Sequence, residues 1–296
     1  MSAALRRRSA DRRTGSARRS GTAVSGARSR SPPTSRNIPV PSAAPVLVQP
    51  LRLAGPGDHR LVTDPLTALH GWVRTRSPGG SACFTSPCRT AALTADGPAD
   101  HLVAWTVHGY TAPGSEPLWR AAFGSGTPAE VTAAFTSTLA EDLPTRHRDR
   151  PHGSPAAVLS VHGWRPADRT PRGFHDQVAP DGSAVYRHRL GHQPHDSEAA
   201  GLVPPTWSMI VGDRQHPSWQ AEFTIGTPFH PLVNAVLAFS DPGPVRRRAG
   251  NIPVYHLTLV TVRQIAGSVR RRPAPADPSG LTAPPAFRPA PAARRR

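Results

Sequence analysis

Trp119-Arg120-Ala121-Ala122-Phe123-Gly124-Ser125-Gly126-Thr127-Pro128 returns 100 residues later as Trp219-Gln220-Ala221-Glu222-Phe223-Thr224-Ile225-Gly226-Thr227-Pro228. Each stretch opens on Trp, keeps Ala two places on and Phe four places on, and closes on Thr-Pro. The alternation predicts a strand with one buried face. Trp119, Ala121 and Phe123 point one way, and Arg120 and Ala122 the other; Trp219, Ala221 and Phe223 point in, and Gln220 and Glu222 out. One buried and one solvated face is what an antiparallel sheet expects. Working outward, Ala68-Leu69-His70-Gly71-Trp72 is matched 92 residues on by Ser160-Val161-His162-Gly163-Trp164. The six tryptophans thus form two ordered triplets, Trp72, Trp105, Trp119 and Trp164, Trp207, Trp219. The change of spacing from 92 to 100 places an insertion of about eight residues in the second copy, around His192–Pro204. A domain has been duplicated.

The segment after each strand reads as a helix. Thr127-Pro128-Ala129-Glu130 has the form of a capping box, with Val131, Ala134, Phe135 and Leu139 as the apolar stripe. The second copy keeps Thr227 and Pro228, puts His230 where the Glu would be, and has Leu232, Val233, Val236 and Leu237 as its stripe. Upstream, Thr63-Asp64-Pro65 reads as the start of a short helix that Gly71 ends. Ala82–Phe84 and Arg89–Leu93 read as a hairpin around Ser86-Pro87, and Asp176–Ala179 and Ser183–Leu190 as its counterpart around Pro180-Asp181-Gly182. His101–Val107 and Thr206–Val211 are strand-like and carry the middle tryptophans. The fold class predicted is α+β: two tandem copies of an antiparallel-sheet domain, each with a short leading and a longer trailing helix, flanked by disordered tails. The expected divisions are a tail at 1–45, copies at 46–150 and 151–245, and an Arg/Pro-rich region at 246–296. Within that region Ile252–Gln264 alternates well enough for an added strand. The two copies pack with pseudo-twofold symmetry or stand as separate beads.

The His-Gly-Trp element, the Trp-x-Ala-x-Phe strand and the Thr-Pro-led helix together resemble an actinobacterial tandem-repeat family catalogued as a domain of unknown function (number 317). The resemblance covers roughly Pro50 to Val245 in two copies. It implies a fold and brings no activity, ligand or catalytic residue with it. His230 and the insertion depart from its pattern.

The 36 basic residues are all arginine, unevenly placed. Residues 1–36 hold ten Arg and Asp11, for +9; residues 246–296 hold eleven Arg and Asp277, for +10; the middle holds 15 Arg against 17 acids, for −2, which completes the +17 of the chain. The high pI therefore belongs to the ends and not to a basic folded surface. The ends also lack the large apolar side chains needed to offset the entropy of ordering. No apolar stretch is long enough to span a membrane, and no targeting segment is visible, so a cytoplasmic protein is expected.

Several residues could carry chemistry, and each has a plainer reading. The tryptophans suit base stacking, but sit in apolar alternation as core residues do. His188, His192, His195, Asp196 and Glu198 are the densest set of potential metal ligands, on a Gly-Gln-Pro-interrupted loop that is a poor scaffold for zinc. Cys83 and Cys88 straddle a hairpin and read as two reduced, packed thiols. His70 and His162 precede Gly-Trp in both copies, where a His can bond the free carbonyls of a helix end. Neither a phosphate loop nor a nucleophile elbow is present. No catalytic, cofactor or metal residue is assigned. The reading is a cytoplasmic, non-enzymatic binding or regulatory module with a protein or small-molecule partner. The alternatives are weak nucleic-acid association through the arginine-rich ends, driven by counterion release, and an enzyme with an unrecognised site.

Overall fold

The computed structural model describes residues 43–77, 79–97, 104–145 and 153–265. A strand, β1 (Pro45–Gln49), and a 3-10 turn at Leu51–Leu53 precede the first copy. That copy runs α1 (Arg60–Ala68), β2 (Val73–Arg76), β3 (Ala82–Thr85), β4 (Ala91–Asp96), β5 (Ala104–Tyr110), β6 (Pro117–Phe123) and α2 (Ala129–Thr145). The second repeats it as α3 (Pro155–Val161), β7 (Arg165–Pro166), β8 (Phe174–Val178), β9 (Ala184–Arg189), then an added α4 (His195–Ala199), then β10 (Trp207–Gly212), β11 (Pro217–Phe223) and α5 (Phe229–Ser240). Two further strands follow, β12 (Val245–Arg248) and β13 (Thr261–Gln264).

The copies are not beads. They share one ten-stranded antiparallel sheet in the order β2-β3-β4-β5-β6-β11-β10-β9-β8-β7, which reads the same outward from its centre. The junction is β6 against β11, with Ala122 opposite Glu222. Trp119, Ala121, Phe123, Trp219, Ala221 and Phe223 are all buried, as their alternation requires. α2 and α5 pack on each other over this face, and α1 and α3 flank them. At the junction Phe123, Phe135 and Phe223 meet with ring centroids 5.5 to 5.6 Å apart, so the two copies share one core. Gly109 lies opposite Trp119, and a Cβ there would fall 2.0 Å from the indole, so glycine is what lets the ring lie across β5.

Both leading helices end as the sequence indicates, at Gly71 and Gly163 in the left-handed region (φ +65° and +78°). The starts differ from expectation. α1 begins at Arg60, where the Asp58 carboxylate accepts from the Arg60 N–H at 3.0 Å, and Pro65 lies inside the helix. Val62 and Leu66, four apart and buried, need that earlier turn. The capping box at Thr127 does not form. Its hydroxyl is buried without a partner, and Glu130 turns away to Arg247. Thr227 does not cap either; its hydroxyl donates to the Thr224 carbonyl at 2.7 Å. Of the two stripes, Ala134 is half-buried and Leu237 exposed, while the other members are buried.

Residues 245–264 are only partly strand. β12 and β13 flank β1 in a separate three-stranded sheet, so the added strand expected over Ile252–Gln264 is confined to Thr261–Gln264. Pro253 and the 3-10 turn at Val254–His256 interrupt it. Arg247 is buried and bonds both Glu130 carboxylate oxygens at 2.7 Å and the Ala54 and Gly55 carbonyls at 3.2 Å. One arginine of the basic C-terminal region is therefore structural. Of the tail expected at 1–45, residues 1–42 lie outside the described residues and Pro45 opens β1; of the region expected at 246–296, residues 266–296 lie outside them.

Candidate binding face of the sheet

Among the described residues α4 is the one helix on the outer side of the large sheet; the others lie with the core. Register fixes which side chains share the outer face, because directly paired residues point the same way. One transverse row runs from Cys83 through Thr94, Thr106 and Ala122 of the first copy to Glu222, Ser208, Arg187 and Asp176 of the second. The two halves differ in kind. The first is small and uncharged. The second is charged, and its charges are matched: Arg187 grips Asp176 through two bonds of 2.9 and 2.8 Å, and Arg214 lies 3.3 Å from the same carboxylate. The Arg187 guanidinium also lies 4.8 Å from the Phe174 ring centroid.

The insertion closes the centre of this face. α4 carries Glu198, which is buried and accepts from Arg189, from the Thr206 N–H at 3.0 Å, from the Thr206 hydroxyl at 2.8 Å and from the Ile225 N–H at 2.9 Å. A buried carboxylate is tolerated only with such full satisfaction. Arg120 reaches α4 through the Ala199 carbonyl at 3.3 Å and lies 3.6 Å from Glu222. His195 shares a 3.0 Å hydrogen bond with the Thr224 hydroxyl. Beside them is His108, half-buried; burial first, then Arg120 and His195, lower its pKa and favour neutral imidazole. Tyr110 follows His108 at 6.5 Å between ring centroids, and burial raises its phenol.

The histidine and acid set of the insertion does not assemble into a metal cage. Glu198 is committed to Arg189, His195 to Thr224, and His188 faces the opposite side of the sheet from Arg187 and Arg189. Among the described residues no group of three or more His, Cys, Asp or Glu is placed to hold a metal ion. The cysteines are free. Cys83 is half-buried, but Cys88 is exposed and not packed as expected. Burial pushes the Cys88 thiol up, yet hydrogen bonds with Ser86 and Thr90 outweigh it and the net shift is downward. His162 occupies the helix C-cap, but its ring bonds the Ser240 hydroxyl at 2.6 Å and not the helix carbonyls, tying α3 to α5. Five of the six tryptophans are buried core; Trp207 is half-buried. Sequence reasoning did not single out Arg120, Asp176 or Arg187, whose partners become neighbours only once the sheet is formed.

The class this geometry defines is a duplicated α+β protein, built as one antiparallel sheet with its main helices on a single face. The model of the SPDY domain, a domain of unknown function (DUF317), matches residues 85–145 and again 179–245, one stretch in each of the two copies. The Trp-x-Ala-x-Phe strand and the Thr-Pro-led helix fall within both matches; the His-Gly-Trp element and the leading helices precede them. No curated protein and no solved structure matches the chain.

Proposed function

We propose that the chain is a cytoplasmic, non-enzymatic binding or regulatory module that takes a protein or small-molecule partner on the outer face of its first copy. The observation that carries this is the uncharged row Cys83, Thr94, Thr106, Ala122 on four adjacent strands. A solvated sheet face usually carries charge and long polar side chains. Small side chains without charge lower the cost of desolvation and let a partner approach the strands closely. Among the described residues no helix is long and apolar enough to cross a membrane, which fits a partner met in solution. The test is capture of partners from the native host with the full chain and with Thr106→Arg, which plants a charge mid-row. A partner retained by the first and lost by the second is expected; the same partners on both would overturn the assignment of the face.

A second reading draws on the charge of the ends, +9 and +10 against −2 for the middle. On that reading duplex DNA binds without sequence preference and weakens steeply with salt. Fluorescence anisotropy with a random-sequence duplex at two salt concentrations separates the readings, since docking on an uncharged row has little salt dependence.

A further inference from the structure

His175 and His188 stand directly opposite one another on β8 and β9, on the helix side of the sheet. Both are half-buried. Among the described residues no hydrogen bond to either ring is present, and none of their nitrogens is among the fully buried atoms left without a partner. His188 stacks on Trp207, with centroids 5.8 Å apart and planes 14° from parallel, which fixes the plane of its imidazole. Phe229 meets the same indole edge-on at 6.4 Å.

The first copy shows that the fold does not require these residues. Aligned on the middle tryptophans, His175 and His188 take the places of Ala82 and Ala95. Phe229 stands where Ala129 begins α2. Trp105 is 4% exposed beside those alanines, whereas Trp207 is half-buried. The second copy has therefore exchanged three small side chains for rings around one tryptophan.

We propose that His175 and His188 chelate a divalent transition-metal ion that favours imidazole, copper(II), nickel(II) or zinc(II), with water filling the remaining positions. Residues directly opposite across an antiparallel pair have Cβ atoms about 5 Å apart, within reach of two imidazoles converging on one ion with bonds of about 2.0 Å. Imidazole nitrogens select these metals over magnesium or calcium. A metal ligand must be neutral imidazole. The Arg189 charge is taken up by Glu198, which reduces its repulsion of a cation. His192 and His195, the neighbours in sequence, are not the partners; His195 is bonded to Thr224.

Nickel(II) is the probe, because it does not oxidise Cys83 or Cys88 to a disulfide. Titrated into the full chain at neutral pH, it should quench the Trp207 share of the tryptophan emission with saturation at one equivalent. Equilibrium dialysis should give the same stoichiometry. His175→Ala and His188→Ala should each weaken binding by more than about tenfold, since loss of even an outer-shell partner costs about that much. Both variants install the residue that the first copy carries, so near-ultraviolet circular dichroism should show an intact fold. His192→Ala should leave binding unchanged. Trp207→Phe should abolish the quench and keep the dialysis stoichiometry. Absence of saturable binding overturns the proposal, as does affinity unchanged in both alanine variants.

Discussion

Thr127 is buried at 3% exposure and its hydroxyl has no partner, while the hydroxyl of Thr227, at the matching place, donates to the Thr224 carbonyl at 2.7 Å. The two residues share a Gly-Thr-Pro context and are opposite in energetics. A buried hydroxyl left unsatisfied carries its full desolvation cost, so replacing it by a methyl group of similar shape removes a penalty. Thr127→Val should leave the urea midpoint unchanged or raise it. Thr227→Val should lower stability by about 1 kcal/mol through the lost bond. A loss of about 1 kcal/mol at Thr127 instead would show that its hydroxyl caps α2 after all. The Thr-Pro-x-Glu pattern was legible as a helix start, and α2 does begin at Ala129. The fate of Glu130 was not legible, because the group that claims its carboxylate lies 117 residues away.

At the level of elements, that same pair fastens α2 to β12. The Arg247 side chain is 4% exposed and the Glu130 side chain 23%, with two bonds of 2.7 Å between them. Removing one member strands the other's charge in a poorly solvated place. Glu130→Ala should therefore cost about 3 kcal/mol, and Glu130→Gln less, because the amide oxygen still accepts from Arg247. Urea denaturation of both variants checks this, and equal losses would show that charge contributes nothing beyond the hydrogen bonds. The strands of the large sheet were readable because alternation of Trp, Ala and Phe is a local signal. β1 and β12 were not, since Val245–Arg248 reads as a run of charge until Arg247 is seen to point inward, and of Ile252–Gln264, read as one added strand, only Thr261–Gln264 pairs as β13. α4 was also missed: five residues after Pro194 give no helical period to detect, and only the burial of Glu198 reveals its role as a strut.

For the whole molecule, the duplication was legible from the tryptophan triplets, but the joining of the copies was not. A strand edge pairs through its backbone, and nothing in the side chains of Ala121–Phe123 names Ala221–Phe223 as the neighbour. Because Phe123, Phe135 and Phe223 form one cluster across the junction, the folded part should melt in a single transition with calorimetric and van't Hoff enthalpies equal. Two resolved transitions would mean that the copies unfold independently. The same junction has a bearing on descent. β6 and β11 are corresponding strands, joined antiparallel, so two identical half-length polypeptides related by a dyad could assemble this sheet through one self-complementary edge. Such a homodimer must carry each substitution twice. Gene fusion lifts that constraint: one half can hold its middle indole shut among alanines while the other acquires imidazoles beside it, a division of labour that symmetry forbids to paired equals.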